Sequence, residues 1–305
     1  MKISVSMVVR DEEAMLARCL DTVKDADDIV ICDTGSTDKT IEIAKEYTDR
    51  VFTDFKWCDD FSKARNHAAN KCLGDFILII DADEMLVTPF SKVREIVEKA
   101  DKEGRDFISI KVSSEKRTSQ MSSPRLHKNI PEIKWYGAAH NYLANSTGKK
   151  NEIYTDEIEI VYGYSPAHAK DPNRTLRILR KAVKDDPTLK REKFYLAREY
   201  WYKKKYKQAL MWVKRYIKNP SFRGEVAEAF LLKARCLWRM PGNHGEEARV
   251  ACMHAIYSNP DFKEALLLMS EMNFEPRKSQ WKSYADIAKN TGVLFNRTDN
   301  ANKQT

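Results

Sequence analysis

Apolar runs of strand length alternate with segments of helical periodicity over the first 165 residues of the chain. The apolar runs cover Ile3–Val9, Asp28–Asp33 and residues 76–80, and helical spacing of apolar side chains is seen between them, as at residues 12–23 and 37–47. Continuous apolar runs are typical of strands buried on both faces, and their alternation with helices predicts a parallel or mixed sheet. We therefore expect an α/β domain over this half.

After residue 165, apolar residues recur only with the spacing that is typical of helices. Three helix-rich stretches end at prolines, at positions 187, 220 and 260. One stretch resembles the tetratricopeptide pattern, which is carried by Leu196, Ala197, Tyr200, Tyr206, Ala209 and Pro220. Such a pattern predicts helix pairs that stack into a short solenoid. We expect three parts: the α/β domain at residues 1–165, an all-α tetratricopeptide-like domain at 166–295, and a disordered tail at 296–305.

The two halves carry opposite charge. Residues 1–164 have 24 Lys and Arg against 30 Asp and Glu, a net charge of −6, whereas residues 165–305 have 29 against 15, a net charge of +14. A domain this basic attracts polyanions such as DNA. The run of Lys203, Lys204 and Lys205 is a candidate contact for such a partner, and a solvated turn between helices is the alternative explanation.

The sequence favours a cytoplasmic protein without a membrane partner. The apolar run near the N-terminus is too short for a signal peptide, and no stretch reaches the roughly 18 to 20 apolar residues that cross a bilayer. The six cysteines show no Cys-x-x-Cys spacing, which argues against a zinc site or a disulfide framework. Reduced cysteines are the simplest interpretation.

Three of the predicted strands end in clusters of polar residues. The clusters are Arg-Asp-Glu-Glu at residues 10–13, Asp-Thr-Gly-Ser-Thr-Asp at 33–38 and Asp-Ala-Asp-Glu at 81–84. Ligands of parallel sheets bind outside the carboxyl ends of the strands, so these clusters are expected to meet at one edge. Carboxylates there can bind a nucleoside, and together with substrate phosphates they suit Mg²⁺ or Mn²⁺. A turn and a helix cap would explain the second cluster on its own.

The ordered motifs VVRDEE, DTGSTDKT, DDFSKARN and LIIDADE resemble glycosyltransferase family 2. The resemblance covers about residues 1–165 and is to the subgroup with a tetratricopeptide-like C-terminal region. It implies the GT-A fold, a nucleotide-sugar-binding α/β domain with a mixed, mainly parallel sheet. It also implies a metal-dependent transferase that uses Mn²⁺ or Mg²⁺ and moves a sugar from a nucleotide-sugar, most simply a UDP-sugar, to an acceptor hydroxyl.

The same resemblance implies roles for individual residues. Those expected at the nucleotide-sugar are Arg10, Glu12, Asp33, Lys63, Arg65, Asn66 and Asp81. Glu12 and Asp33 would hold the uracil and ribose, and the basic and amide residues of the Phe-Ser-Lys-Ala-Arg-Asn motif would lie against the nucleotide. Asp81 would face the ribose or a metal-bound water and is a second candidate metal ligand. Asp83 would bind the metal ion that bridges the two phosphates.

The sequence departs from the subgroup at two places. The subgroup has a Gly-x-x-His-Glu stretch whose carboxylate is the candidate base for the acceptor hydroxyl, whereas here Asn141 follows His140. An amide does not accept a proton, so the base and the stereochemical outcome stay open. The subgroup also has a His just ahead of a Gly-Tyr pair; here Val161 and Tyr162 precede the pair and His168 follows it. His140 and His168 are candidate metal ligands, and a structural histidine explains either one equally well.

Two other classes of protein account for parts of the pattern. A nucleotidyltransferase would share an α/β nucleotide site but should carry a Gly-rich, Arg-containing loop after the first strand, where this chain has the acidic residues 10–13. A non-catalytic tetratricopeptide adaptor would explain only the helical half. For a transferase, the charge favours an acceptor such as a hydroxymethylated DNA base extruded from the duplex, and a peptide or saccharide acceptor is the alternative.

Overall fold

The computed structural model describes residues 1–167, 171–221 and 223–288. The chain divides into two compact units, Met1–Arg174 and Thr175–Thr305. Each unit has a buried apolar core of its own. Within the described residues, every helix is either too short or too polar to span a lipid bilayer.

A mixed eight-stranded sheet forms the centre of the first unit, and a separate two-stranded hairpin accompanies it. The strands are β1 (Ile3–Val9), β2 (Asp28–Asp33), β3 (Val51–Phe52), β4 (Phe76–Ile79), β5 (Glu84–Leu86), β6 (Phe107–Ser114), β7 (Gln120–Lys128), β8 (Ile133–Tyr136), β9 (Tyr142–Asn145) and β10 (Glu152–Tyr162). The order in the large sheet is β3-β2-β1-β4-β7-β6-β10-β5, and β8 pairs with β9 in the hairpin. The first four of these strands are mutually parallel, as are β6 and β10, whereas β7 and β5 run antiparallel to their neighbours. The predicted mixed, mainly parallel sheet is confirmed.

The central strands are buried on both faces, as their continuous apolar runs predict. Along β4, Phe76 and Leu78 belong to the large core on one face of the sheet. Ile77 and Ile79 belong to a smaller cluster on the opposite face. Four helices complete this unit: α1 (Leu16–Asp21), α2 (Thr40–Tyr47), α3 (Phe61–Ala69) and α4 (Phe90–Lys102). The result is a sheet whose carboxyl edge, where β1, β2 and β4 end, is bordered by polar loops.

Helix α1 begins at Leu16, four residues later than the predicted start at residue 12, and α2 begins at Thr40, within the predicted segment 37–47. The residues ahead of each helix hydrogen-bond to the other loop. Glu12 N donates to Thr40 Oγ1 at 2.7 Å, and Lys39 N donates to Glu13 Oε2 at 3.1 Å. These contacts satisfy backbone N–H groups that the first turn of a longer helix would have left without an intrahelical partner, and they join the two polar loops.

A β-bulge interrupts β7, the antiparallel strand between β4 and β6. Across to β6, Leu126 pairs with Ile108 and Pro124 pairs with Ser109, so Arg125 is the extra residue of the bulge. Across to β4, the register places Leu126 opposite Leu78. Arg125 therefore lies one residue past the last paired position of β4, beside the loop in which that strand ends.

The second unit is entirely helical in its described part. Its helices are α5 (Arg174–Asp185), whose first residue belongs to the first unit, α6 (Arg191–Tyr202), α7 (Tyr206–Ile217), α8 (Arg223–Arg239), α9 (Gly245–Ser258), α10 (Lys263–Glu271) and α11 (Arg277–Ile287). From α6 onwards each helix packs on the next, as expected for a tetratricopeptide-like stack. The prolines at 187, 220 and 260, at which the helix-rich stretches were predicted to end, follow the ends of α5, α7 and α9. The predicted disordered tail at residues 296–305 lies outside the described residues.

Candidate active site

The polar loops after β1 and β2 are joined by direct hydrogen bonds. Asp11 N donates to Ser36 Oγ at 2.9 Å, and Thr37 N donates to Asp11 Oδ1 at 2.8 Å. Asp11 has a φ of +54°, which is uncommon for a residue with a side chain, and these contacts hold it there. Two of the three polar clusters therefore meet at the carboxyl edge of the parallel strands. Arg10, the first residue of this loop, is exposed to solvent.

Asp33 organises the turn that follows β2. Its Oδ1 accepts hydrogen bonds from Gly35 N at 2.8 Å and Ser36 N at 3.0 Å, and its Oδ2 accepts one from the Ser36 hydroxyl. Gly35 has a φ of +106°, a conformation that glycine adopts without steric cost. Asp33 is only 2 % exposed, so in this structure its carboxylate serves the turn itself.

Glu12 is a half-buried carboxylate at the same edge. Ser165 Oγ donates a hydrogen bond to Glu12 Oε2 at 2.6 Å. The pKa of Glu12 is raised above its ordinary value, because burial outweighs the Ser165 hydrogen bond and the negative charges of Asp83 and Asp81 add to the effect. The effect of Asp83 and Asp81 on Glu12 reflects that the third polar cluster, residues 81–84, lies near the other two.

A tight turn carries the third cluster. Asp81 N donates to Glu84 Oε2 and Glu84 N donates to the Asp81 carbonyl, both at 2.9 Å. Asp83 lies between them and is half-buried, and its carbonyl accepts a hydrogen bond from Gly163 N at 2.7 Å. The Glu84 side chain is 5 % exposed, and burial raises its pKa to about 7 even though the Arg125 cation opposes the shift. Asp83 is therefore held inside a turn that is closed by hydrogen bonds between Asp81 and Glu84.

Two arginines contact the carboxylates of this turn. Arg65 Nη2 lies 2.7 Å from Asp81 Oδ1, and the Arg65 guanidinium stacks on the ring of Trp135 at 4.9 Å from the ring centroid. Arg125 Nη2 lies 2.5 Å from Glu84 Oε1, and Arg125 Nη1 lies 3.9 Å from Asp81 Oδ2. Arg65 was predicted from its motif, whereas Arg125 was missed. The signal that could have found it is Pro124, because a proline inside a paired strand marks a bulge.

Helix α3 carries the remaining predicted nucleotide contacts. Asp60 caps the helix and accepts a hydrogen bond from Lys63 N at 3.2 Å. The Lys63 side chain is 68 % exposed. Asn66 binds both backbone groups of Trp135: its Nδ2 donates to the Trp135 carbonyl at 3.0 Å, and its Oδ1 accepts from Trp135 N at 2.9 Å. Asn66 therefore attaches the β8–β9 hairpin to the helix that supplies Arg65.

The hairpin loop holds the position where the subgroup has its candidate base. Phe61 N donates to the Ala138 carbonyl at 2.9 Å, which ties the loop to the start of α3. His140 is exposed and has a φ of +51°, and Asn141 is half-buried. The other predicted histidine ligand, His168, lies outside the described residues.

The predicted acceptor contacts form the turn between α6 and α7. Lys203 follows the last residue of α6, and Lys204 has a φ of +56°. Lys204 N donates to the Trp201 carbonyl at 2.8 Å and Lys205 N donates to the Tyr200 carbonyl at 2.9 Å, which closes the helix end. Lys204 and Lys205 are exposed to solvent, so the turn can also present their charges to a partner.

In the part of the chain that the structure describes, protein groups alone do not form a complete metal site. Among the residues that the structure describes, no three His, Cys, Asp or Glu side chains are close enough together to hold a metal ion. Asp81 is engaged by Arg65, and Asp83 lies two residues further along the same turn. A single carboxylate fits Mg²⁺ or Mn²⁺ when substrate phosphates and waters supply the other ligands.

This arrangement, a mixed sheet with three acidic loops at the carboxyl edge of its parallel strands, is matched by a known family. Residues 4–160 match the family model for glycosyl transferase family 2. The match spans more than half of the chain, and the chain belongs to this family. The GT-A fold and the family resemblance that the four motifs predicted are thereby confirmed.

The protein is similar to several known proteins. One is the SPbeta prophage-derived glycosyltransferase SunS of Bacillus subtilis, which is 27 % identical over 233 residues, 71 % of this chain and 53 % of the relative. Another is a TPR repeat-containing protein of Synechococcus elongatus, 36 % identical over 149 residues, 48 % of this chain and 36 % of the relative. The crystal structure of TarS 1-349 from S. aureus superposes with a TM-score of 0.46 at 15 % identity, covering 93 % of this chain and 88 % of that chain. The chain spans about half of the length of the glycosyltransferase SunS and about a third of the length of the TPR repeat-containing protein.

Proposed function

We propose that the protein is a metal-dependent glycosyltransferase that moves a sugar from a nucleotide-sugar to an acceptor hydroxyl. The observation that carries the proposal is the meeting of the loops at residues 10–13, 33–38 and 81–84 at one sheet edge in a member of glycosyl transferase family 2. The nucleotide we propose is UDP, which is the simplest carrier that the family resemblance implies.

The chemistry assigns different tasks to the residues of this edge. The acceptor oxygen forms a bond to the anomeric carbon while the bond from that carbon to the diphosphate oxygen breaks, and the diphosphate leaves with the electron pair. When bound, Mn²⁺ or Mg²⁺ neutralises part of the charge that develops on the diphosphate. Asp83 would hold this ion, and Glu12 would accept hydrogen bonds from the nucleoside. The proton of the acceptor hydroxyl must go to a group other than Asn141, because an amide is not basic enough to accept it.

The acceptor we propose is a polyanion, and a hydroxylated DNA base is the candidate that the charge favours. The support is the net charge of +14 over residues 165–305, together with exposed Lys204 and Lys205 at the turn between α6 and α7. Phosphate contacts of this kind give affinity without sequence recognition. A peptide or saccharide acceptor remains the alternative for the same donor chemistry.

The test is to incubate the protein with a panel of sugar nucleotides and to follow release of the nucleoside diphosphate. We expect release from UDP-sugars in the presence of Mn²⁺ and a large loss of release with EDTA. Release that requires a sugar phosphate and a nucleoside triphosphate would indicate a nucleotidyltransferase instead. The absence of turnover with every donor, combined with no nucleotide binding, would contradict the proposal and favour an adaptor.

A further inference from the structure

The bulge in β7 aims a half-buried arginine at the turn that ends β4. Bulges bend a strand and re-aim a side chain, and they are frequent beside active sites. Here the extra residue is Arg125, and Pro124 precedes it. The Arg125 side chain is 13 % exposed, and its guanidinium reaches Glu84 and Asp81. The bulge therefore places one cation between two carboxylates of the candidate donor site.

Every oxygen of these two carboxylates has a partner in the protein. For Asp81, Arg65 Nη2 lies 2.7 Å from Oδ1 and Arg125 Nη1 lies 3.9 Å from Oδ2. For Glu84, Arg125 Nη2 lies 2.5 Å from Oε1, and Asp81 N donates to Oε2 at 2.9 Å. The contacts fix both ends of the four-residue turn. Asp83 lies inside the turn and inherits its orientation from them.

The energetics argue for a role in geometry. A buried ion pair contributes little net stability, because desolvation of the two charges offsets their attraction, and apolar side chains of the same volume often stabilise a core as well. What the pair supplies is directionality, since a guanidinium fork binds carboxylate oxygens in a defined plane. A fixed turn is useful at this edge because the candidate metal ligand, Asp83, is carried by it.

We propose that Arg125 is a positioning residue for donor binding: through Glu84 and Asp81 it sets the orientation in which Asp83 meets the diphosphate of the nucleotide. The inference rests on the proposed function, and it assigns Arg125 no contact with the donor itself. Arg65 contacts the other carboxylate oxygen of the same aspartate, so the two arginines together restrain the Asp81 side chain.

The experiment uses the full chain and distinguishes the effect of removing the Arg125 charge from the effect of removing the orientation that Arg125 gives to the turn. The variants are Arg125→Met, Glu84→Gln and the double variant, and the readouts are the Tm and the Kd for UDP measured by calorimetry with Mn²⁺. Arg125→Met should lower the Tm, because Glu84 is left buried without its cation. The double variant should recover most of the Tm, because both charges are gone, and should still bind UDP about 10-fold or more weakly, the range typical of partners that orient metal ligands.

A matched control separates positioning from stability. Arg191 and Glu225 form an ion pair in the helical unit, with Arg191 Nε 2.7 Å from Glu225 Oε1; the Glu225 side chain is buried and that of Arg191 is 26 % exposed. Arg191→Met should lower the Tm and leave the Kd for UDP unchanged. Arg125→Lys keeps the charge without the guanidinium fork, so we expect nearly the parental Tm and a several-fold rise in Kd.

Two outcomes would overturn the inference. A double variant with parental Kd would show that Arg125 serves folding alone, and if that variant does not fold, parental Kd in Arg125→Lys has the same meaning. If Arg191→Met raises the Kd for UDP as much as Arg125→Met does, the weaker binding results from lower stability of the protein and not from a change in the turn. A parent chain that does not bind UDP with Mn²⁺ overturns the proposed function and this inference together, whereas a binding parent with binding variants overturns this inference alone.

Discussion

At the scale of single residues, Asp83 is the side chain on which the proposed chemistry most depends. It lies half-buried in the 81–84 turn, close enough to Glu12 for its charge to raise the pKa of that carboxyl. A carboxylate in this place can hold a cation that shares the donor's diphosphate.

We expect Asp83→Asn to abolish metal-dependent UDP binding and to lower kcat by about 100-fold or more, equivalent to roughly 3 kcal/mol of transition-state stabilisation. The fold should be unaffected, because the amide has the shape of the carboxylate it replaces. Initial rates with the preferred donor and the circular dichroism spectrum check both parts. Near-parental turnover in Asp83→Asn would remove the metal assignment.

His127 gives the stability of the first unit a dependence on pH. It is 2 % exposed on β7, and burial lowers its pKa to about 4 although its Nδ1 bonds the Lys128 carbonyl at 2.8 Å. Because the folded state disfavours the proton, this contribution is complete above pH 6.5, the ordinary value, and is lost as the pH falls from 6.5 toward 4. At 1.36 kcal/mol per pKa unit the loss is about 3 kcal/mol.

The test is denaturant unfolding of the parent and of His127→Asn at pH 7 and at pH 4.5. The asparagine keeps a donor near the Lys128 carbonyl and does not titrate in this range. We expect the parent to lose about 2 to 3 kcal/mol more than the variant between the two pH values. Equal losses in the two proteins would show that His127 does not carry this dependence.

The place of acidic residues at the sheet edge was easier to predict from the sequence than the place of Arg125. Asp81 and Asp83 follow an apolar strand directly, so local order is enough to place them at a sheet edge. Arg125 is 41 residues from its partner Glu84, and it reaches that partner only through the antiparallel register of β7 and its bulge. The register cannot be calculated from local pattern, and Pro124 marks the bulge only once the strand around it is known.

At the scale of elements, α3 and the β8–β9 hairpin form one assembly at the site. Asn66 satisfies both backbone groups of Trp135, and the Trp135 ring stacks on Arg65, which in turn binds Asp81. The sequence predicted Asn66 as a nucleotide contact. The structure assigns its side chain to the hairpin, so any effect of Asn66 on the nucleotide is expected to pass through this assembly.

We expect Asn66→Ala to free the hairpin from α3. Two backbone hydrogen bonds are lost at Trp135, and each buried polar group left without a partner costs about 1 to 3 kcal/mol. Amide exchange should accelerate at residues 133–136, while the amides of β1 stay protected and serve as the internal control. Unchanged exchange at Trp135 would show that the hairpin is held by other contacts.

Strands β1, β2 and β4 match the predicted segments closely because each is buried on both faces and therefore apolar at nearly every position. The later strands gave no such signal. β7 alternates exposed and half-buried positions along Gln120–Pro124. In the sheet it lies between β4 and β6, whereas both of these strands precede it in the sequence. Polar faces and long-range pairing hide such strands from pattern analysis.

At the scale of the whole molecule, the acidic residues 1–164 and the basic residues 165–305 suggest a division between donor chemistry and acceptor binding. The prediction for the basic part concerns Lys203, Lys204 and Lys205. If they contact DNA phosphates, replacing all three by Gln should weaken DNA binding and flatten its salt dependence. The expected log–log slope change is about 0.9 for each duplex phosphate contact removed.

Filter binding of duplex DNA across a range of salt concentrations checks this prediction, with donor hydrolysis as the matched control. Hydrolysis of the sugar donor should be the same in the parent and in the triple variant, because the donor residues lie in the first unit. If the triple variant has the parental slope, the three lysines do not contact DNA phosphates and serve only as the turn that closes the end of α6. Salt-insensitive binding in the parent would favour a neutral acceptor.

The most direct test of the whole account is thermal unfolding of the chain with UDP, with and without Mn²⁺. Binding to the folded state alone stabilises a protein by about 2.7 kcal/mol at 100 times Kd, so a donor site must raise the Tm in a concentration-dependent way. We predict a rise with UDP and Mn²⁺ that is largely lost when EDTA replaces the metal. An unchanged Tm at millimolar UDP with Mn²⁺ would contradict the assignment of this acidic edge as a nucleotide-sugar site.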